Sequence, residues 1–552
     1  MSLILDGTNG VSDIDGSAAT PAIRGTDANT GIFFPAADTI AFSEGGVESM
    51  RLNSSGVLVT TNDASISGLT VGKGGGSLST NTVVGNGALA ATNSGGFSVA
   101  VGQNAGAATT SGQIVAVGNS ALFTNSTGSQ NTAIGISALY SNTTGSNNVA
   151  VGTQPLFSNT TASNNTAVGY QAGYSNTTGQ QNTALGFQAL YANTTADWNS
   201  AFGRTALAAN TTGANNTGLG GYALNSNTTG GNNTAVGMSA LISNTTASNN
   251  TAVGYQALYT NTTGTRLTAV GRNALLTSTT ASDCSAFGDS ALGSNTTGAD
   301  NCAFGRTALL SNTTGSANCA FGYQAAYSNT TGIQNVAVGN NSLLNNTTAS
   351  NNTVVGYFAG YSLTTGGSNA FLGQNAGNAT TTGKGNVFVG REAGYYCTTG
   401  SGNTFINPQN ASESYAPVFA LTTENNRVAI GSNAVTNAYI QVAWTVVSDA
   451  RDKTNIADIP HGLEFVSQLQ PKQYQFKASR EDDTPNGNKR YGFLAQDILA
   501  LEGDSPVIID NEDSEKLRYN GESLVPVLVK AIQELNAKVE AQALEIAQLK
   551  GN

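Results

Sequence analysis

The sequence predicts a mainly β protein, in which a parallel β-solenoid (β-roll) shaft of short repeats is followed by an α+β domain that ends in a long helix. Glycine recurs about every 17 residues from Gly85 to Gly390, in about twenty copies of one pattern, and so short a fixed period is typical of stacked repeat proteins. Charged residues become frequent only from Ser448 onward. Near the end of the chain, apolar residues recur at three- and four-residue steps, which is the period of a helix.

The first segment, residues 1–80, differs in composition from the repeats. Alternating patterns such as I-A-F and S-M-R-L-N lie between glycine turns, and this arrangement predicts short β-hairpins. The segment resembles the small β-modules common near the start of phage fibre proteins, and the resemblance implies attachment to a virion tail or an adaptor protein. An equally good interpretation is that it caps the exposed first coil of the shaft.

The shaft, residues 81–407, contains two short apolar runs per repeat, such as T-A-V and A-L-Y, each followed by a turn rich in Gly or Asn. This pattern predicts strand–turn–strand–turn coils, whose equivalent strands pair in parallel at about 4.8 Å. One asparagine per copy is expected to stack on its neighbours and to hydrogen-bond through its amide. The predicted ladder contains Asn142, Asn159, Asn176, Asn193, Asn210, Asn227, Asn244 and Asn261.

Self-association of the shaft is expected from the narrowness of the repeat. Fewer than about twenty residues per coil enclose little volume, and apolar residues occupy both faces of the T-A-V strand. The residue before each glycine, such as Val253, is expected to face a core, and the small alanine face, such as Ala252, is expected to contact another chain. Three copies around a shared axis, a homotrimer, satisfy both expectations.

These N-T-A-V-G-x-x-A-L repeats resemble the head repeats of trimeric autotransporter adhesins, which form trimeric β-rolls. They are equally similar to the repeat shafts of phage tail fibres. The resemblance covers the shaft only, and the adhesin repeats are shorter.

Composition excludes several classes of function. Only 10% of residues are charged and the formal net charge is −11, which argues against a nucleic-acid partner. No apolar run approaches the ~18 residues of a membrane span, so no membrane insertion is expected. The segment after Met1 lacks the basic and apolar regions of a signal peptide, and we therefore expect assembly in a cytosol.

No cofactor or metal is expected. The chain contains one histidine and four cysteines, which makes a histidine-based metal site or a Ser-His-Asp triad a poor interpretation. Cys302 and Cys319 occupy equivalent positions in adjacent repeats. We interpret them as small apolar replacements for threonine, since thiols stay reduced in a cytosol.

The repeat loosens over residues 408–447, where N-R-V-A-I-G is a degenerate copy. Residues 448–552 then follow with S-D-A-R-D-K-T-N-I, R-Y-G-F-L-A-Q-D-I and a long helix. These motifs, in this order, resemble the C-terminal intramolecular chaperone auto-processing domain of phage endosialidase tailspikes, tail fibres and neck appendages. The resemblance implies a domain that trimerises, assists folding of the shaft and then releases itself.

In that family a serine, with a lysine five residues later, cuts its own chain beside the serine. The matching positions here are Ser448 and Lys453. A serine hydroxyl needs a base to take its proton, and a lysine becomes such a base only where burial disfavours its charged form. The resemblance assigns supporting roles to Asp449, Asn455, Tyr491, Gly492, Phe493 and Gln496.

The terminal helix is predicted without any family. Apolar residues alternate at three- and four-residue steps over about residues 524–549, which predicts a coiled-coil seam. The alternative is an amphipathic helix that packs on its own domain. The seam contains Val525, Leu528, Ile532, Leu535, Val539, Ile546 and Leu549.

Together these features predict a homotrimeric tail fibre of a phage virion, assembled in the host cytoplasm, which attaches to a host cell-surface receptor or glycan. Its only expected enzymatic activity is a single self-cleavage by a Ser-Lys dyad, without action on external substrates. One alternative is a bacterial trimeric surface adhesin with the same type of shaft. Another is a glycan-degrading tailspike, which needs paired acids in a groove, whereas the shaft's acids are scattered over different repeat positions.

Overall fold

A computed structural model describes residues 16–435 and 448–551, apart from positions 25, 27, 38, 61, 62, 68, 111, 478, 479, 481, 505, 513 and 516. The last twelve residues of the predicted connector, 436–447, lie outside the described residues. The described chain forms two compact units. One contains the residues up to 409 together with 417–430, and the other contains 410–416 together with the residues from 431 onward.

The N-terminal region begins with a five-stranded sheet, in which each strand pairs antiparallel with the next. A hairpin of two further strands follows, and its second strand pairs antiparallel with Thr82–Val84, the first strand of the shaft. This hairpin covers the edge that the first coil would otherwise expose. The seven strands are β1 (Ile23–Arg24), β2 (Gly31–Phe33), β3 (Ile40–Glu44), β4 (Val47–Leu52), β5 (Leu58–Thr60), β6 (Ala64–Ile66) and β7 (Leu69–Gly72).

The shaft is a single parallel stack in which every strand pairs in register with the strand of the next coil. The mainly β solenoid fold is thus confirmed. Twenty-one strands form the stack, and the last of them extends it beyond residue 407 into the degenerate repeat. In chain order they are β8 (Thr82–Val84), β9 (Val99–Val101), β10 (Ile114–Val117), β11 (Asn131–Ile134), β12 (Val149–Val151), β13 (Thr166–Val168), β14 (Thr183–Leu185), β15 (Ser200–Phe202), β16 (Thr217–Leu219), β17 (Thr234–Val236), β18 (Thr251–Val253), β19 (Thr268–Val270), β20 (Ser285–Phe287), β21 (Cys302–Phe304), β22 (Cys319–Phe321), β23 (Val336–Val338), β24 (Thr353–Val355), β25 (Ala370–Leu372), β26 (Val387–Val389), β27 (Thr404–Ile406) and β28 (Val428–Ile430).

One chain closes its own core, contrary to the expectation that the alanine face contacts another chain. The middle residue of the strand, such as Ala252, is fully buried and packs with leucines of the same chain, such as Leu258. The flanking residues of the strand, such as Thr251 and Val253, face outward and are half-buried. The expectation that Val253 faces the core was therefore wrong, because the middle residue of the strand, and not the residue before the glycine, points to the side that the coil encloses.

The second apolar run of each repeat is not a strand, which corrects the predicted strand–turn–strand–turn coil. It folds as consecutive turns, with leucines such as Leu139 and Leu190 at φ 52° and 54°. This left-handed conformation is uncommon for residues other than glycine. It is maintained because the turn directs the leucine side chain into the core, where both leucines are at most 1% exposed.

The predicted asparagine ladder is confirmed. From Asn142 to Asn261 each amide nitrogen donates to the amide oxygen of the preceding coil, at 2.7–3.0 Å. A second buried ladder was not predicted: the backbone N–H of Asn165 donates to the side chain of Asn148 at 2.9 Å, and the pattern repeats in later coils. These amides satisfy backbone groups at the turns, which would be costly to bury unpaired.

The C-terminal unit is an α+β domain. It contains a 3-10 turn (Ala450–Asp452), three helices and two short antiparallel strand pairs. Its core is formed by residues such as Phe465, Ile498 and Leu524. The elements are α1 (Leu463–Gln468), β29 (Lys472–Lys477), β30 (Pro485–Gly492), α2 (Ala495–Glu502), β31 (Ile509–Asp510), β32 (Arg518–Tyr519) and α3 (Gly521–Lys550).

Candidate functional site

Ser448 and Lys453 lie at the two ends of the tight turn that opens the C-terminal domain. Asp449 caps this turn, because its carboxylate accepts a hydrogen bond from the backbone N–H of Arg451 at 2.9 Å. The backbone N–H of Lys453 donates to the carbonyl of Ala450 at 3.2 Å and closes the turn. The chain therefore reverses over five residues and brings the lysine back to the serine.

The two side chains are in direct contact. Lys453 Nζ donates a hydrogen bond to Ser448 Oγ at 2.6 Å. This distance is short enough for a general base to take the proton of the hydroxyl. Both residues are exposed in the single chain. A lysine loses its proton more readily when it is buried. Burial of Lys453 would therefore require another surface to cover it, because this part of the chain leaves it exposed.

Asp449 and Arg451 form an ion pair beside the dyad, with 2.5 Å between guanidinium and carboxylate. Hydrogen bonds from the Arg451 side chain, and next from its backbone N–H, lower the pKa of Asp449 below its usual value. Asp449 thus stays ionised and paired with Arg451. Lys453 Nζ hydrogen-bonds to Ser448, while Arg451 occupies the Asp449 carboxylate.

Asn455 adopts φ 56° and is exposed. Asparagine tolerates this left-handed conformation better than most residues. It lies two residues after Lys453, just beyond the end of the turn. In this structure Asn455 is thus notable for its backbone conformation, directly after the turn that carries Ser448 and Lys453.

The predicted supporting residues of the Y-G-F-x-A-Q motif lie where β30 meets α2. Phe493 packs on the domain core and against the ring of Tyr519, with 6.0 Å between ring centroids. Gly492 lies beside Tyr474, and an added Cβ would approach that ring to 3.0 Å. Tyr491 is 87% exposed and Gln496 is exposed.

The motif and the dyad are not joined directly. Within the described part of the chain, no hydrogen bond, ion pair or ring contact links residues 491–496 to Ser448 or Lys453. Phe493 and Gly492 therefore serve the packing of the domain. Tyr491 and Gln496 instead present polar groups at its surface.

Helix α3 has two distinct faces. Leu524, Val527 and Ala531 are buried against the core of the domain. The residues of the predicted seam are all exposed, by 38% to 72%, on a strip of the helix beside this buried face: Val525, Leu528, Ile532, Leu535, Val539, Ile546 and Leu549. The helix thus packs on its own domain with one face, while the seam stays free.

Contacts between α3 and the segment after the dyad were not predicted. Lys530 Nζ hydrogen-bonds to the carbonyl of Ile459, and the Glu534 carboxylate accepts from the backbone N–H of Leu463 at 2.7 Å. These pairings join residues 71 positions apart, so no local pattern could reveal them. They attach the beginning of α1 and the preceding loop to the helix that carries the seam.

Two open cavities, of about 650 and 560 Å³, lie next to this contact. Both are lined by Asp458, Ile459 and Pro526, and the second also by Asn455 and Glu502. Glu502 is buried and accepts hydrogen bonds from three consecutive backbone N–H groups, at 2.6–2.9 Å. The loop that leaves the dyad thus runs along a concave surface next to the seam.

No cluster of three or more metal-ligating side chains occurs among the described residues. None of the helices in the described ranges has the length and apolarity needed to cross a membrane.

A family model described as the chaperone of endosialidase matches residues 448–504. The match begins at Ser448 and covers the dyad, the turn and the Y-G-F-x-A-Q motif. No curated protein matches the chain, and no solved structure matches it. The chain therefore carries a C-terminal domain of the endosialidase-chaperone type after a β-solenoid.

Proposed function

We propose that this chain is a homotrimeric phage fibre protein whose C-terminal domain aligns three copies, assists winding of the shaft, and then cuts itself off at Ser448. The observation that carries the proposal is the 2.6 Å contact between Lys453 Nζ and Ser448 Oγ at the first residues of the matched domain. In this scheme the protein belongs to the virion and attaches to a host-surface receptor or glycan. Its N-terminal region binds the tail or an adaptor.

The cleavage chemistry follows from the dyad. Neutral Lys453 takes the hydroxyl proton of Ser448, and the oxygen attacks the carbonyl carbon of the peptide bond beside it. The peptide C–N bond breaks, the amine leaves with a proton, and an ester remains. Water then hydrolyses this ester to a carboxylate and restores the hydroxyl.

Trimer assembly supplies the trigger in this scheme. Ser448 and Lys453 are exposed in one chain, whereas an ammonium group is discharged readily only when it is removed from water. The exposed seam of α3 supports association of three copies, which would cover the neighbouring surface. Cleavage would then occur only after the three chains have associated.

The need for such a domain follows from the shaft. Successive coils present nearly the same residues, so three chains aligned one coil out of step satisfy most contacts. Parallel pairing over long sequence separation is also slow and prone to aggregation. A domain that trimerises first sets the register before the shaft winds, and its removal makes the assembled fibre kinetically difficult to undo.

A denaturing gel of the purified full-length protein tests the proposal. We expect a fragment of about 105 residues, Ser448–Asn552, beside a larger shaft fragment, without added metal, cofactor or protease. Ser448→Ala should leave the chain intact while still allowing trimers. Ser467→Ala, which removes an exposed hydroxyl of α1, is the matched control and should cleave normally.

Persistent cleavage in Ser448→Ala would assign the cut to another protease or nucleophile. A wild-type chain that forms trimers yet remains whole would make the domain a permanent cap and remove the release step from the proposal.

A further inference from the structure

The outward side of the shaft sheet carries an unbroken apolar column. The last residue of every strand from β8 to β28 is Val, Ile, Leu or Phe, over twenty-one coils. These side chains face away from the core, and members such as Leu185, Leu219 and Leu372 are 43–50% exposed. We call this column the outer apolar column.

The column next to it is equally free of charge. The residue two positions before each member of the outer apolar column is Thr, Ser, Val, Cys or Ala in every coil. Charged residues of the shaft lie instead in the turns, as in the ion pairs Arg266–Asp283 and Arg272–Asp289. Charge is thus tolerated at the turns and absent from the whole outer face of the sheet.

The size of this face matches a protein interface. Twenty steps of about 4.8 Å give a length of about 95 Å, and a three-residue strand is about 7–10 Å wide. The resulting area, roughly 700–900 Å², is close to the ~800 Å² that each partner contributes to a standard interface. The outer apolar column supplies the apolar part of this face, and exposed apolar surfaces of more than a few hundred Å² mark interaction sites in soluble proteins.

We propose that this face is the interface between copies of this chain, and that three shafts bury it in register along a common axis. The proposal rests on the proposed homotrimer and identifies the surface by which the shaft takes part in it. The occupant is identified by its spacing. The side chains of this face repeat every ~4.8 Å along the shaft. A partner that packs against them over twenty coils must have the same repeat distance, and a second copy of this chain has it.

Features within the face support an in-register contact. Phe287, Phe304 and Phe321 form one continuous stack, with 4.6 and 4.7 Å between successive ring centroids. The three phenylalanines form a bulky ridge at one height of the column, where most other coils carry valine. Copies related by rotation alone bring the three ridges to the same height, whereas a shift by several coils sets phenylalanine against valine.

Two native cysteines provide a direct test. Cys302 and Cys319 lie on the outer face at paired positions of β21 and β22, whereas Cys284 and Cys397 are buried and burial raises the pKa of each thiol to about 11. In Ser448→Ala/Cys319→Ser protein, which keeps the chain whole, Cys302 is the one native thiol expected to react with a short bis-maleimide. We expect covalent dimers on a denaturing gel.

The matched control moves the thiol from the sheet to a turn. Ser448→Ala/Cys302→Ser/Cys319→Ser/Thr331→Cys places it in an exposed turn, where we expect labelling without cross-linking. Trimers in light scattering that cross-link through Thr331→Cys and not through Cys302 would overturn this interface and leave the homotrimer intact. A monomer in light scattering would overturn both.

A charge placed on the face provides an independent measurement. Val253→Asp puts a carboxylate in the outer apolar column, and Tyr255→Asp puts the same group two residues later at a side chain that is 45% exposed. We expect Val253→Asp to abolish shaft trimers, because it would bury unpaired charges at the axis, and Tyr255→Asp to leave them unchanged. Equal yields of trimer from both variants would overturn the proposal.

Discussion

At the scale of single residues, the glycine that follows a shaft strand is constrained both by its backbone conformation and by the close approach of the next coil. Gly220 has φ 136°, and an added Cβ would lie 2.6 Å from the carbonyl oxygen of Gly237 in the next coil. Its neighbour Gly221 has neither constraint, since nothing lies within 4 Å of the position that a Cβ would take there. The period of the sequence therefore marks the points where adjacent coils approach most closely.

This pair of glycines makes the first prediction. Gly220→Ala should lower the free energy of unfolding by about 3 kcal/mol, because a strained backbone costs about 1–3 kcal/mol and the coils must also separate. Gly221→Ala, the adjacent control, should change it by less than about 0.5 kcal/mol. Chemical denaturation of the two variants measures both values, and similar losses would show that contact between coils does not explain the repeat.

Lys453 makes the second prediction at this scale. Lys453→Arg keeps the positive charge beside Ser448 and should still abolish cleavage, because a guanidinium group does not lose its proton at working pH. Mass spectrometry of the purified variant should show one intact chain. Normal cleavage would mean that Lys453 acts through its charge alone, and the base would have to be sought elsewhere.

At the scale of elements, the asparagine ladder contains a break that can be repaired. Ser278 occupies an asparagine position, and the buried Ser278 Oγ and Asn261 Oδ1 have no hydrogen-bond partner. The next position of the ladder, Asn295, donates to the carbonyl of Gly298 and has a second N–H on the same amide. One asparagine would thus reconnect two intact stretches of ladder.

Ser278→Asn should therefore stabilise the shaft by about 1 kcal/mol, the net value of a typical buried hydrogen bond. Asn295→Ser, which enlarges the gap, should destabilise it. Thermal unfolding of Ser448→Ala protein carrying each change measures the difference. A lower melting temperature for Ser278→Asn would mean that the interior at Ser278 is too narrow for the amide.

The exposed seam of helix α3 can be tested separately from the face that packs on the domain. Ile532 is 66% exposed in the single chain, so Ile532→Asp should leave the fold of the C-terminal domain intact and prevent trimers of the full-length protein. Ala537→Asp changes an exposed position away from the seam and should leave trimers intact. Light scattering with circular dichroism distinguishes assembly from folding, and trimers of Ile532→Asp would assign association to another surface.

At the scale of the whole molecule, the core that stabilises a single chain lies mainly in the shaft, whereas the alignment of copies is proposed to begin in the C-terminal domain. The shaft has a continuous core of its own within one chain, whereas the C-terminal domain has a small core and a long exposed seam. A chain that ends at residue 447 should therefore aggregate or wind out of register, while Ser448→Ala should yield soluble trimers. Sedimentation of both proteins tests this, and soluble trimers of the truncated chain would remove the chaperone role.

The sequence alone determined the repeat, the parallel register, one asparagine ladder, the seam and the serine–lysine spacing. Each of these depends on residues that are adjacent or recur at a fixed step, and local geometry then places them. The pairing of Ser448 with Lys453 was instead implied by the resemblance to the chaperone family, and the structure shows the contact across five residues and one turn.

Only the tertiary structure decided which residues face inward. Alternation showed that Ala252 lies on one side of the strand and Val253 on the other, but not which side is closed by the rest of the coil. The left-handed leucines, such as Leu258 at φ 53°, turn the second apolar run back over the alanine side, and the valine side is left facing outward. Sequence patterns do not report backbone conformations that most residues avoid. For this reason the side predicted to face a core faces outward, and the side predicted to contact another chain forms the core.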